Sequence, residues 1–189
     1  MVNMYKLKLT ILQQEILRFL FIKAGMSFNA RGLARPLEVS QPGIMKALPE
    51  LEKENLVKAQ KDKDSGRWSI ELNRDNKMVI ELKRAENLKM LYESGLADFL
   101  EETFPGCTII LFGSYSRGED ILTNETDKEK SDIDIAIIGA REKEIDLTKF
   151  DKRLERIVFL HFYPNLKEVH KNLRESILNG ILLAGGVEI

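Results

Sequence analysis

From Thr10 to Ile22 apolar side chains recur every three or four positions, which predicts a helix over residues 10–24, closed by Gly25. A second short helix is predicted over Asn29 to Leu37, with Leu33 and Leu37 inward. The run Glu38-Val39-Ser40-Gln41-Pro42-Gly43 then reads as a helix start. Ser40 is a good N-cap, and Pro42 falls in the first turn, where a missing N–H costs nothing. Ile44, Leu48 and Leu51 face the core of this third helix, predicted to reach about Asn55, although Pro49 in its middle removes a hydrogen bond. Leu56–Ala59 and Trp68–Leu72 have the character of strands, and the polar run Lys61 to Arg67 supplies the turn between them.

The pattern changes after residue 74. Residues 75–103 are helical in spacing, with a fresh start near Ser94, and Pro105-Gly106 ends them. Cys107 to Phe112 is a continuous apolar run, as a strand buried on both faces requires. Residues 121–130 are polar and predicted as a loop. Asp132 to Ile138 and Ile157 to Tyr163 are two further strands, with an amphipathic helix over Asp146 to Arg156 between them. Asn165 is placed to cap the next helix, and Ser176 to Leu183 is predicted as the last one. The fold class expected is α+β. It comprises a first domain over 1–74, linker helices over 75–106 packing on the second domain, and a small mixed-sheet domain with flanking helices over 107–189.

Charge separates the two parts. Residues 1–73 carry 12 Lys and Arg against 8 Asp and Glu, a net +4, whereas residues 74–189 carry 17 against 22, a net −5. This asymmetry predicts different partners for the two parts. The single cysteine, Cys107, excludes an intrachain disulfide and a cysteine-rich zinc site, and its place in an apolar run makes it a structural thiol. The apolar stretch Ile16 to Ile22 is broken by Arg18 and closed by Lys23, too short for a membrane span. A cytoplasmic protein with no membrane association is expected.

Three helices followed by a hairpin resemble a winged helix-turn-helix module. The resemblance implies that the start of the third helix enters the major groove of double-stranded DNA. Ser40, Gln41 and Lys46 are the candidates there, Gln41 for an adenine edge and Lys46 for a guanine or a phosphate, with Gly43 and Ala47 on the same outward face. Lys61, Lys63 and Arg67 in the wing would track phosphates. Glu50, Glu52 and Glu54 crowd the later turns of the same helix, so protein docking or dimerisation remains the alternative use. Trp68 reads as the packing anchor of the wing.

The chemistry is concentrated in Phe112-Gly113-Ser114-Tyr115-Ser116-Arg117-Gly118-Glu119 and in Ser131-Asp132-Ile133-Asp134. Alternation along a strand places Asp132 and Asp134 on one face. Two adjacent carboxylates repel unless a cation lies between them, and Mg²⁺ takes such oxygens together with a substrate's phosphates. A Gly-Ser turn offers backbone N–H groups for those phosphates. The pair therefore reads as a metal-assisted phosphate site.

A Gly-Ser turn followed by an Asp-x-Asp strand resembles the polymerase-β-like nucleotidyltransferase superfamily in its minimal form, over about residues 75–189. The resemblance implies that Gly113, Ser114 and Arg117 bind a nucleoside triphosphate such as ATP. It implies that Asp132 and Asp134 are the catalytic residues and hold one or two Mg²⁺ ions. In such enzymes a third carboxylate usually faces the first two from the neighbouring strand, but Ile157 to Tyr163 contains no acid. Phe159 stands in that place, and Glu155 precedes the strand. His161 alternates with Phe159 and reads as a structural histidine. Two functions follow: a metal-dependent nucleotidyltransferase acting on an acceptor hydroxyl, or a transcription regulator whose degenerate transferase domain senses a nucleotide. A protein partner of toxin–antitoxin type and a homodimer are also expected from the resemblance.

Overall fold

The computed structural model describes residues 8–63, 66–122 and 132–187. The chain divides into two compact units, one ending at Val79 and the other beginning at Ile80.

In the first unit α1 (Ile11–Ile22) begins with a reciprocal cap. Thr10 Oγ1 accepts from Gln13 N at 3.3 Å, and Gln13 Oε1 accepts from Thr10 N at 2.8 Å. Ile16, Leu17, Leu20 and Phe21 form its buried face. The second helix, α2 (Ala30–Ala34), is shorter than predicted: Asn29 caps it by accepting from Gly32 N at 2.8 Å, and the chain turns off before Leu37. α3 (Gln41–Lys53) starts at Ser40 as expected and runs through Pro49. The buried side chain of Gln13 donates to Ala47 O at 3.2 Å and so ties α1 to α3. Ala47 is itself buried, which corrects the outward face expected for it.

Strands β1 (Val57–Lys61) and β2 (Trp68–Leu72) form an antiparallel hairpin, and Phe28 adds a single antiparallel bridge to Ile70. Trp68 is half-buried opposite Lys61. Three helices, a hairpin and that bridge make the first unit a winged helix.

α4 (Lys77–Glu93) and α5 (Leu96–Thr103) are separated at Ser94-Gly95, where the pattern restarts. Within the second unit β3 (Thr108–Phe112) leads directly into the short α6 (Gly113–Arg117). Next come β4 (Ile133–Ile138), α7 (Thr148–Leu154) and β5 (Val158–Tyr163). A 3₁₀ turn follows over Leu166–Glu168, capped by Asn165, and then α8 (Lys171–Leu178).

The last predicted helix is corrected. Helix α8 stops at Leu178, and Ile181–Ala184 form a strand, β6. The cause lies in tertiary packing: Gly180 comes so close to β3 that a Cβ there would lie 2.4 Å from Leu111 O. The apolar run after it then pairs antiparallel with β3 rather than continuing a helix.

The sheet order is β5-β4-β3-β6, with β4 and β5 parallel and the other neighbours antiparallel. One sheet face carries Ile109, Leu111, Ile133, Ile135, Ile137 and Val158, packed with residues of α4, α5 and α7. The other carries Ile110, Phe112 and Ala136, covered by Val169 and by Ile177 of α8. Asp134 shares this second face, since strand parity places it with Ala136.

Candidate active site

Phe112 is the last residue of β3 and lies opposite Asp134 of β4. The next residue, Gly113, has φ +78°, a conformation that a side chain would strain. Its missing side chain is also needed sterically, because a Cβ there would lie 2.7 Å from Asp134 Oδ2. The turn and the carboxylate are therefore pressed together, and two motifs about twenty residues apart in sequence become one site. Ser116 Oγ donates to Gly113 O at 2.8 Å and closes the turn. Ser114 is half-buried in the first turn of α6, where helical N–H groups have no partner within the helix.

Asp134 is flanked on its other side by β5. The parallel register sets Phe159 beside Asp134 and His161 beside Ala136. His161 Nε2 donates to Asp134 Oδ1 at 2.9 Å, and its ring meets that of Phe112 edge-on with centroids 5.3 Å apart. The histidine read from sequence as structural thus holds the carboxylate of the candidate site. Its signal was present, since His161 shares the parity of Phe159, but only the register shows which residue it meets. Phe159 occupies the place expected for the third acid and is 46% exposed. Glu155 is the exposed C-cap of α7, four residues before Phe159. Asp132 is half-buried just ahead of β4, with the parity of Asp134. Ser131, like most of the loop expected over 121–130, lies outside the described residues. Among the described residues no group of three or more His, Cys, Asp or Glu is arranged to hold a metal ion.

Arg117 is half-exposed and its Nε donates to Glu119 Oε2 at 2.7 Å. Exposed ion pairs of this kind are weak, so the guanidinium can exchange partners at little cost.

Beneath α6 lies a buried polar cluster that no sequence pattern announced. Asp120, fully buried, accepts from Lys83 Nζ through Oδ1, from Asn87 Nδ2 at 2.7 Å through the same atom, and from an Arg156 terminal nitrogen at 3.1 Å through Oδ2. Asn87 Nδ2 also donates to Tyr115 O at 2.9 Å, and the Tyr115 hydroxyl donates to Asn87 O at 3.2 Å. Burial, reinforced by the Asp120 carboxylate, pushes the Tyr115 phenol far above its ordinary range. Helix α6, which carries Gly113 and Ser114, is thereby laced to α4.

In the first unit, Ser40 spends its hydroxyl on the cap, accepting from Gly43 N at 3.2 Å. Gln41, Lys46, Lys61, Lys63 and Arg67 are exposed. Cys107 is a half-buried free thiol. Among the described residues no helix is long and apolar enough to cross a membrane.

Residues 93–182 match the family model of the nucleotidyltransferase domain. That stretch contains Gly113, Ser114, Asp132 and Asp134 in the arrangement just described. No curated protein matches the chain. Solved structures similar to it include the adhesin competence repressor of Streptococcus pyogenes, at 23% identity and a TM-score of 0.39, over 51% of this chain and 69% of that one. The S. aureus MepR–DNA complex matches at 20% identity and a TM-score of 0.37, over 50% and 77%. The zinc-responsive MarR family member ZitR of Lactococcus lactis matches at 23% and 0.37, over 51% and 66%. What makes the first unit a winged helix is its own geometry. The stretch similar to the nucleotidyltransferase domain lies within the second unit.

Proposed function

We propose that the protein is a metal-dependent nucleotidyltransferase that moves a nucleoside monophosphate from a nucleoside triphosphate to an acceptor hydroxyl. The observation that supports this best is the seating of Asp134 on the Gly113 turn within the stretch similar to the nucleotidyltransferase domain. Gly113 and Ser114 would receive the triphosphate at the start of α6, and Arg117 would leave Glu119 for a phosphate oxygen. The donor set fits Mg²⁺, which is commonly held by one or two carboxylates plus substrate phosphates, and Asp132 and Asp134 are the residues to hold it. Bound there, Mg²⁺ supplies charge stabilisation for phosphoryl transfer. In the reaction the acceptor oxygen forms a bond to the α-phosphorus, the bond to the bridging oxygen breaks, pyrophosphate leaves, and the hydroxyl proton passes to solvent.

The test is incubation with Mg²⁺, labelled triphosphates and candidate acceptors. Pyrophosphate release that disappears in Asp132→Ala supports transfer. Saturable binding without turnover refutes it and leaves the second reading, a nucleotide-sensing regulator. One observation favours that second reading: Phe159 presents hydrocarbon where an acid would assist deprotonation of the acceptor. In either case the winged helix is proposed to bind double-stranded DNA, through Gln41 and Lys46 of α3 and the basic wing residues. A protein partner and homodimerisation are further proposals from the resemblance.

A further inference from the structure

We infer that the candidate centre takes one divalent ion rather than two, and that His161 is the positioning residue that fixes Asp134 for it. The inference rests on the transferase reading above and concerns how its metal site is built.

A two-ion centre holds its cations about 3.5–4 Å apart. That closeness calls for carboxylates whose two oxygens serve different ions, and for a further oxygen ligand on the acceptor side. Three features of the second unit oppose it. Asp134 Oδ1 is engaged by His161 Nε2 at 2.9 Å, which takes one of its lone pairs from a bridging role, while Oδ2 is held against the Gly113 turn. The place beside Asp134 on β5 holds the Phe159 ring, which offers no lone pair. Among the described residues no third acid joins the pair. Two carboxylates and a triphosphate supply the charge and oxygen atoms that one divalent ion needs.

The same contacts give His161 its role. A carboxylate rotates freely about its terminal bond unless one oxygen is held. His161 holds Oδ1, and Phe112 packs edge-on against the imidazole. Hydrogen-bonding partners of this sort behind a metal ligand commonly change metal affinity by about 10–100-fold.

The test is a Mn²⁺ titration of the full chain with a non-hydrolysable triphosphate analogue, with bound and free Mn²⁺ separated by electron paramagnetic resonance. One ion per chain is expected. Two ions, or bound nucleotide with none, overturn the inference and leave the transferase reading standing. Failure to bind the analogue at all overturns both. His161→Ala should weaken Mn²⁺ binding about tenfold while circular dichroism stays unchanged, and His161→Gln should recover part of the loss. Unchanged Mn²⁺ affinity in His161→Ala overturns the positioning role. Phe159→Asp should raise the count to two, and a count that stays at one removes Phe159 as the residue that limits it.

Discussion

Asp134 rests on the bare backbone of Gly113: a Cβ at that glycine would stand 2.7 Å from the Oδ2 atom of the carboxylate. The Gly113-Ser114 turn and the acid strand are therefore mechanically one feature. Gly113→Ala should force the carboxylate aside while straining a left-handed backbone position. Misplacement of a reacting group by about 1 Å can cost on the order of 100-fold, so a loss of that size in pyrophosphate release is expected, with secondary structure retained.

Asp132→Ala and Asp134→Ala should abolish turnover without unfolding the second unit, because both residues are only half-buried. Analogue binding in metal-free buffer should fall much less than binding with Mg²⁺. Equilibrium binding in the two buffers, beside a denaturation curve, checks this.

The Asp120 cluster should dominate the stability of the second unit. Asp120→Ala leaves Lys83 and Arg156 as buried charges without their shared carboxylate. Breaking a buried ion pair from one side costs about 3–5 kcal/mol. Urea unfolding should show a loss of that order. Arg117→Ala, at an exposed pair, should change stability by less than about 1 kcal/mol.

Tyr115 gives the protein an alkaline limit. Its folded pKa lies far above the ordinary value, so its contribution is fully present below about pH 10, the unfolded value. Above that pH the unfolded chain releases the proton while the folded chain keeps it, and stability falls as pH rises. Tyr115→Phe should lower stability at neutral pH by about 1 kcal/mol through loss of the bond to Asn87 O, yet flatten the decline above pH 10. Phenolate absorbance and unfolding curves across the alkaline range test both effects.

For the winged helix, Lys46→Ala and Lys61→Ala should each weaken DNA binding and reduce its salt slope by about one counterion, read by mobility shift at two salt concentrations. Binding indifferent to salt would point to protein docking by this unit.

Local grammar made much of this legible. Ser40 and Pro42 marked the start of α3, the break at Ser94-Gly95 separated α4 from α5, and the apolar run before Gly113 announced β3. These signals act within a turn or a strand, where side-chain period and backbone preference decide. The segment after Gly180 was misread because an apolar run suits helix and strand equally, and pairing with β3 settles the choice. Ala47 is buried rather than outward because tertiary packing, not helical period alone, decides which side of α3 is covered.

The sequence by itself determined the order of elements up to Gly180 and the identity of the chemical groups: a Gly-Ser turn, two carboxylates at strand spacing, and a strand without an acid. Only the tertiary structure decided which groups meet. The register of β4 against β3 and β5 places Asp134 between Gly113 and His161 and sets Phe159 beside it. Burial brings Lys83 and Asn87 of α4 together with Asp120 and Arg156, from three places in the chain. Strand register and buried charge pairing are long-range energies, satisfied by partners far away in sequence, so no local pattern can carry them.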